Sequence, residues 1–180
     1  MKNTILKFGL ISGAFSSIMM VAALPFENEN FGYTIGYTII VLSFLLVFFG
    51  IRSYRDNLSS GQITFARAFA VGIAITLISC FFYVVTWEIV YFNFMHDFMD
   101  KYAAHIIAKM KASGATAAAI QAQVQQLAAE KQKYENPLYN SAITFLEPFP
   151  VGLVITLLSA TVLRRKSHIQ SAPSTVTTSA

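Results

Sequence analysis

The chain has 180 residues, of which 55% are hydrophobic and only 12% charged, about half the charged share of a soluble domain. Its net charge is +4, but the basic residues sit at the ends of apolar runs and make no basic face for a duplex, so nucleic acid is not an expected partner. Lys, Arg, Asp and Glu are kept out of long windows and collected between them, which points to lipid as the solvent.

Crossing roughly 30 Å of hydrocarbon takes about 20 helical residues. Four stretches reach that length: Ile5 to Leu24, Tyr33 to Ile51, Phe65 to Phe92, and Ser141 to Leu163. In lipid the backbone must satisfy itself, so each is expected to be a helix despite its wealth of Phe, Ile and Val. The first stretch has a rival reading as a secretory signal, because Lys2 and Lys7 flank its start and Val21-Ala22-Ala23 resembles a cleavage site. Its length favours a retained helix, as does a small residue at every fourth position, Gly9, Gly13 and Ser17, which suits permanent packing against another helix. Ala68, Gly72, Thr76 and Cys80 form a second such stripe in the third span. Cys80 is the single cysteine, so no intrachain disulfide is possible.

Orientation is read from Lys and Arg beside the membrane. Lys2, Lys7, Arg52, Arg55, Arg67, Arg164, Arg165 and Lys166 share one side of a four-span arrangement, whereas Pro25 to Gly32 on the other side carries Glu27 and Glu29 and no basic residue. Both termini and the Arg52 to Thr64 loop are therefore expected in the cytoplasm. The segment 93–140 is the one sizeable water-facing part. Ser113-Gly114 divides it, and Ile120, Val124, Leu127 and Tyr134 recur at helical spacing until Asn136-Pro137, which predicts a helical hairpin outside the membrane. The tail 167–180, rich in Ser, Thr and Ala, has too little apolar surface to fold.

Ionisable groups inside a span are costly and are functional candidates. Glu88 and Glu147 are the two, roughly 6 and 9 Å below the outer edge of their spans at helical rise. Arg67 and Arg164 are too distant along their helices to pair with them, so if the two carboxyls meet they are expected to share a proton, which is the reading as a proton- or ion-binding site. The structural reading is favoured for both, and for Glu88 it is an interfacial position beside Trp87 and Tyr91. For Glu147 it is a helix start, because Pro148 and Pro150 lack N–H groups and fit a first turn far better than a helix interior. There the carboxylate would face the positive end of the helix dipole and meet free backbone N–H groups. A metal site on His96, Asp97, Asp100 and His105 is not expected: only His96 and Asp100 share a helix face, and two ligands do not fill a zinc site. No cofactor motif is present, and serines such as Ser16, Ser43, Ser79 and Ser159 have no histidine near them in depth.

Three segments together resemble the DUF4199 family: Ser60-Gly61-Gln62-Ile63-Thr64-Phe65-Ala66-Arg67-Ala68-Phe69, Glu147-Pro148-Phe149-Pro150-Val151-Gly152, and Leu163-Arg164-Arg165-Lys166. The resemblance covers most of the chain and implies a small bacterial inner-membrane protein with four spans and no assigned activity; it brings no catalytic residue with it. The expected protein is an all-α bundle of four transmembrane helices over residues 1–166, with an outer helical hairpin between the third and fourth. Its expected role is non-enzymatic, with membrane lipids, a second copy or another membrane protein as partner. A small ion-coupled transporter using Glu88 and Glu147 is the first alternative and a membrane enzyme the second.

Overall fold

Without water to hydrogen-bond the backbone, each spanning segment has to satisfy its own N–H and C=O groups, and the computed structural model does so with helices. It describes residues 1–24 and 32–165. The expected acidic loop residues Glu27 and Glu29, the basic Lys166 and the expected tail 167–180 lie outside the described residues. The described helices are α1 (Lys2–Ala23), α2 (Gly32–Leu58), α3 (Phe65–Phe94), α4 (Phe98–Ala112), α5 (Ala117–Tyr134), α6 (Pro137–Leu146) and α7 (Pro148–Leu163). Among the described residues, four stretches are long and apolar enough to cross a membrane: α1, Gly36–Leu58 within α2, α3, and Pro137–Leu163, which runs through α6 and α7. The protein is an all-α, multi-pass membrane bundle, and α4 with α5 forms the hairpin between its third and fourth spans.

The helices continue past the apolar runs that announce them. Helix α2 reaches Leu58 rather than Ile51, because polar residues such as Arg52, Arg55 and Asp56 end the hydrocarbon-compatible stretch without ending the backbone ladder. Thr64 starts α3 by accepting a hydrogen bond from Arg67 N–H, the ordinary cap of a helix start. Thr116 does the same for α5, and Asn136 for α6, where Pro137 occupies the first helical position.

Helices α2 and α3 each pack on both α1 and α7 and meet one another across the centre. Apolar residues share the inner face of α2 (Ile40, Phe44, Val47, Ile51) and of α3 (Ala68, Val71, Ile75), closed by Ala160 and Leu163 of α7. Lipid tails are as apolar as these side chains, so close packing and hydrogen bonds hold the helices together. The α1–α3 seam shows how. A Cβ on Gly9 would lie 2.9 Å from Ile78, and one on Gly13 would lie 2.9 Å from the Phe82 ring. One turn further, Thr86 Oγ1 donates to Ser17 Oγ at 2.7 Å. Each step of four along α1 thus meets a step of four along α3, in parallel register. Across the other seam, Gly72 and Gly152 admit Thr156 and Thr76 respectively, and the two threonine hydroxyls bond at 3.0 Å.

An isolated antiparallel bridge joins Ile63 and Arg165, with backbone bonds of 2.9 and 3.2 Å. It ties the α2–α3 turn to the end of α7, so that the start of α1, the turn and the end of α7 share one end of the bundle. All the described basic residues that flank the spans lie at this end. The opposite end carries the hairpin.

Candidate functional site

At the hairpin end the bundle opens into a cavity of about 250 Å³. Its walls come from the ends of α1 (Met20, Ala23) and α2 (Gly36, Tyr37, Ile40), from Tyr83 and Trp87 of α3, from Thr144 of α6, and from Glu147. Phe98, Lys101, Tyr102 and His105 of α4 and Tyr134 of α5 complete it, so the extramembrane hairpin supplies part of the lining.

Local sequence explains why α3 presents aromatic groups here. Tyr83, Trp87 and Tyr91 follow at intervals of four and therefore stack along one face. After Phe94 the chain turns and α4 packs back on that face: the Trp87 and Phe98 rings meet edge to face at 5.0 Å, and Phe98 stacks with Tyr102 at 6.3 Å. Tyr134 closes the cluster, 5.4 Å from Tyr91 and 6.4 Å from Phe98 between ring centres. Burial pushes the Tyr134 hydroxyl above the ordinary phenol range, and the Thr144 hydroxyl and Trp87 indole offset part of that rise. Among the described residues the buried indole N–H reaches no acceptor at hydrogen-bonding geometry.

Glu147 stands at the junction of α6 and α7. Its backbone keeps right-handed helical angles, φ −71° and ψ −59°, so the helix is interrupted by the two missing proline donors and not by a turn of the chain. The expected contact between its carboxylate and backbone N–H groups is not made. A capping side chain needs an extended backbone to fold over the helix start, and the helical angles here send the carboxylate elsewhere. It accepts the Tyr83 hydroxyl at 3.1 Å. Pro148 is fully buried, while Pro150 is exposed.

Glu88 has a different partner, accepting the Ser141 hydroxyl at 2.9 Å. It lies about 100° around α3 from Trp87, and its neighbour is α6. The two hydrogen bonds are separated by five residues on α3 and six on the other helix, about 8–9 Å of rise. Among the described residues no hydrogen bond joins the carboxylates, and each is held by its own hydroxyl. Gly9, Gly13, Ser17 and Gly72 all lie in helix contacts away from the cavity lining.

Charges on the hairpin are paired at its surface. Lys101 meets Asp97 at 2.7 Å and Lys131 meets Asp100 at 2.6 Å. Lys101 holds the Asp97 carboxyl below the usual range, and Asp100 holds Lys131 above its own. Among the described residues, no group of three His, Cys, Asp or Glu is disposed to hold a metal ion. The residues that sequence reasoning missed are Tyr83, Tyr37 and Tyr102, while His105 was weighed only as a metal ligand. The stripe Tyr83, Trp87, Tyr91 was the available signal, since a membrane belt alone does not require aromatics one above another through two turns.

A family model described as a protein of unknown function, DUF4199, matches residues 7–165. No curated protein and no solved structure matches the chain.

Proposed function

Because the chain belongs to the DUF4199 family, to which no activity is assigned, we propose its function from the cavity itself: a non-enzymatic membrane protein that holds a small ligand or lipid headgroup under its helical hairpin. The observation that carries this reading is Glu147, an ionisable group within a span that opens on an aromatic-walled cavity. Beneath it the bundle is closed, with Gly152 against Thr76 and Phe44, as suits a site that opens to one side.

The positive-inside rule supports an orientation. With the basic end of the bundle in the cytoplasm, the hairpin and cavity face outward, and the bacterial inner membrane is the compartment this reading proposes. Both carboxylates brace α3 against α6 through single hydroxyl bonds, a structural use that the binding reading accommodates without proton transfer between them. The partners on this reading are lipids or small solutes.

Gly36 provides the test. It lines the cavity, and a Cβ there meets none of the described residues within 4 Å, so Gly36→Phe is the substitution chosen to occupy the space. Native mass spectrometry of the protein extracted from its own membranes should show a retained small mass that the variant lacks. Identical spectra for both proteins, with both folded, would discard the binding reading.

A further inference from the structure

We propose that the occupant of the cavity is an organic ammonium group carrying an oxygen acceptor a few bonds away, of the aminoethanol or choline type. The inference rests on the binding reading above and adds the chemistry of the ligand.

Charge is the first argument. Among the described residues the ion pairs join Arg52 and Arg55 to Asp56, Lys101 to Asp97, and Lys131 to Asp100, and none of them includes Glu147. Its carboxylate has one hydroxyl donor, Tyr83, and faces the cavity. A carboxyl with so little compensation at membrane depth is ionised only with a cation beside it.

The walls decide which cation. A zinc or calcium site asks for several protein ligands, and here one carboxylate stands among rings. Tyr37, Tyr83, Trp87, Phe98, Tyr102 and Tyr134 all line the same space. Aromatic faces attract a diffuse, weakly hydrated cation through their quadrupoles, and such cages recognise quaternary and other organic ammonium groups. Lys101 also lines the cavity, but its charge is answered by Asp97.

The oxygen acceptor follows from Trp87. Among the described residues its buried indole N–H approaches only the Tyr134 hydroxyl, outside hydrogen-bonding geometry, and a donor so poorly satisfied is costly unless something else accepts from it. A hydroxyl or phosphate-ester oxygen near the ammonium would do so. The same chemistry is offered by free aminoethanol or choline.

Trp87 is the only tryptophan in the chain, so its emission reports on the cavity directly. The full chain in detergent is titrated with choline, ethanolamine and 3,3-dimethylbutanol, the uncharged carbon isostere of choline. Choline or ethanolamine should give a saturable change, with the isostere at least about tenfold weaker, a difference of about 1.4 kcal/mol. Glu147→Gln keeps an acceptor for Tyr83 and should weaken ammonium binding by about tenfold or more, and Tyr102→Ala on the hairpin should also weaken it. The same emission is then read in nanodiscs of phosphatidylglycerol with and without phosphatidylethanolamine. A response to the zwitterionic lipid identifies the headgroup as the source, and a response to the free ammonium alone identifies a soluble ligand. Equal affinity for the isostere would leave the cavity reading standing and overturn the ammonium. No saturable change with any probe in detergent or nanodiscs would overturn both.

Discussion

The Tyr83 hydroxyl donates to Glu147 across the seam between α3 and the α6–α7 junction, 3.1 Å apart, and Glu88 takes a separate hydroxyl from Ser141 nearer the hairpin. Two carboxylates at different depths therefore act as independent braces on one seam. Sites about 8–9 Å apart with no shared partner add nearly independently. Glu88→Gln and Glu147→Gln should each lower stability by about 0.5–2 kcal/mol, the range of hydrogen bonds between membrane helices. The double change should equal the two effects together within about 0.5 kcal/mol, as read by thermal or denaturant unfolding in detergent. A coupling well above that would restore the shared-proton arrangement.

The α1–α3 seam yields a steric prediction. Gly13→Leu places a side chain where a Cβ alone already comes within 2.9 Å of Phe82. Overpacking of this kind costs about 1–3 kcal/mol, so the melting temperature should fall clearly. Ile18, on the lipid-facing side of the same helix at 64% exposure, should tolerate Ile18→Leu without loss. The contact lies within one chain, so the oligomeric profile in detergent should be unchanged by either substitution. A Gly13→Leu protein as stable as the parent would mean that α1 packs elsewhere.

Topology is tested by thiol accessibility. Ser60 lies in the turn at the basic end and Ser113 at the tip of the hairpin, both exposed. In a Cys80→Ala background, Ser113→Cys should react with an impermeant maleimide on intact bacterial spheroplasts, and Ser60→Cys only after the membrane is opened. Labelling of both from the same side would refute the four-span arrangement.

The spans and the packing stripes were legible because lipid imposes them locally: length, charge exclusion and the fourfold steps of Gly9, Gly13 and Ser17 are all readable along one helix. The three segments that resemble the family also become intelligible in three dimensions. Ile63 of the first bridges Arg165 of the last, and Gly152 of the middle one receives Thr76. The cavity was not legible, because it depends on where α4 lands after the chain turns beyond Phe94. Phe98, Tyr102 and His105 read as an ordinary water-facing helix until that helix is laid on Trp87 and Tyr91. The partners of Glu88 and Glu147 were hidden for a related reason. Depth estimates placed the carboxyls near each other, but Glu88 sits level with Ser141 and Glu147 with Tyr83, about 8–9 Å apart along the seam.

Alkaline pH should loosen the hairpin before it melts the bundle. Burial raises the Tyr134 hydroxyl above its ordinary value of 10.0, and the Asp100 carboxylate raises Lys131 above 10.5. A group whose folded pKa is raised contributes stability that is fully present below the unfolded value and is lost as pH climbs through the folded one. For Tyr134 the native state keeps a neutral phenol where the unfolded chain would already be ionised; for Lys131 the native state keeps a charge that the unfolded chain would have lost. Both contributions therefore weaken in the same direction above about pH 10, and both act on α5 where it meets α3 and α4. The Lys131–Asp100 pair is fully exposed, so its share should be small and should shrink further in salt. Tyr134 should dominate, and Tyr134→Phe should remove most of the alkaline sensitivity while keeping the ring stacked on Phe98. Trp87 emission followed from pH 8 to 11.5, alongside helix content by circular dichroism, separates the two transitions. An emission change above about pH 10 that precedes loss of helix, and that Tyr134→Phe suppresses, is the expected result. A single transition in both signals, unaltered by Tyr134→Phe, would show that the hairpin and the bundle unfold as one unit.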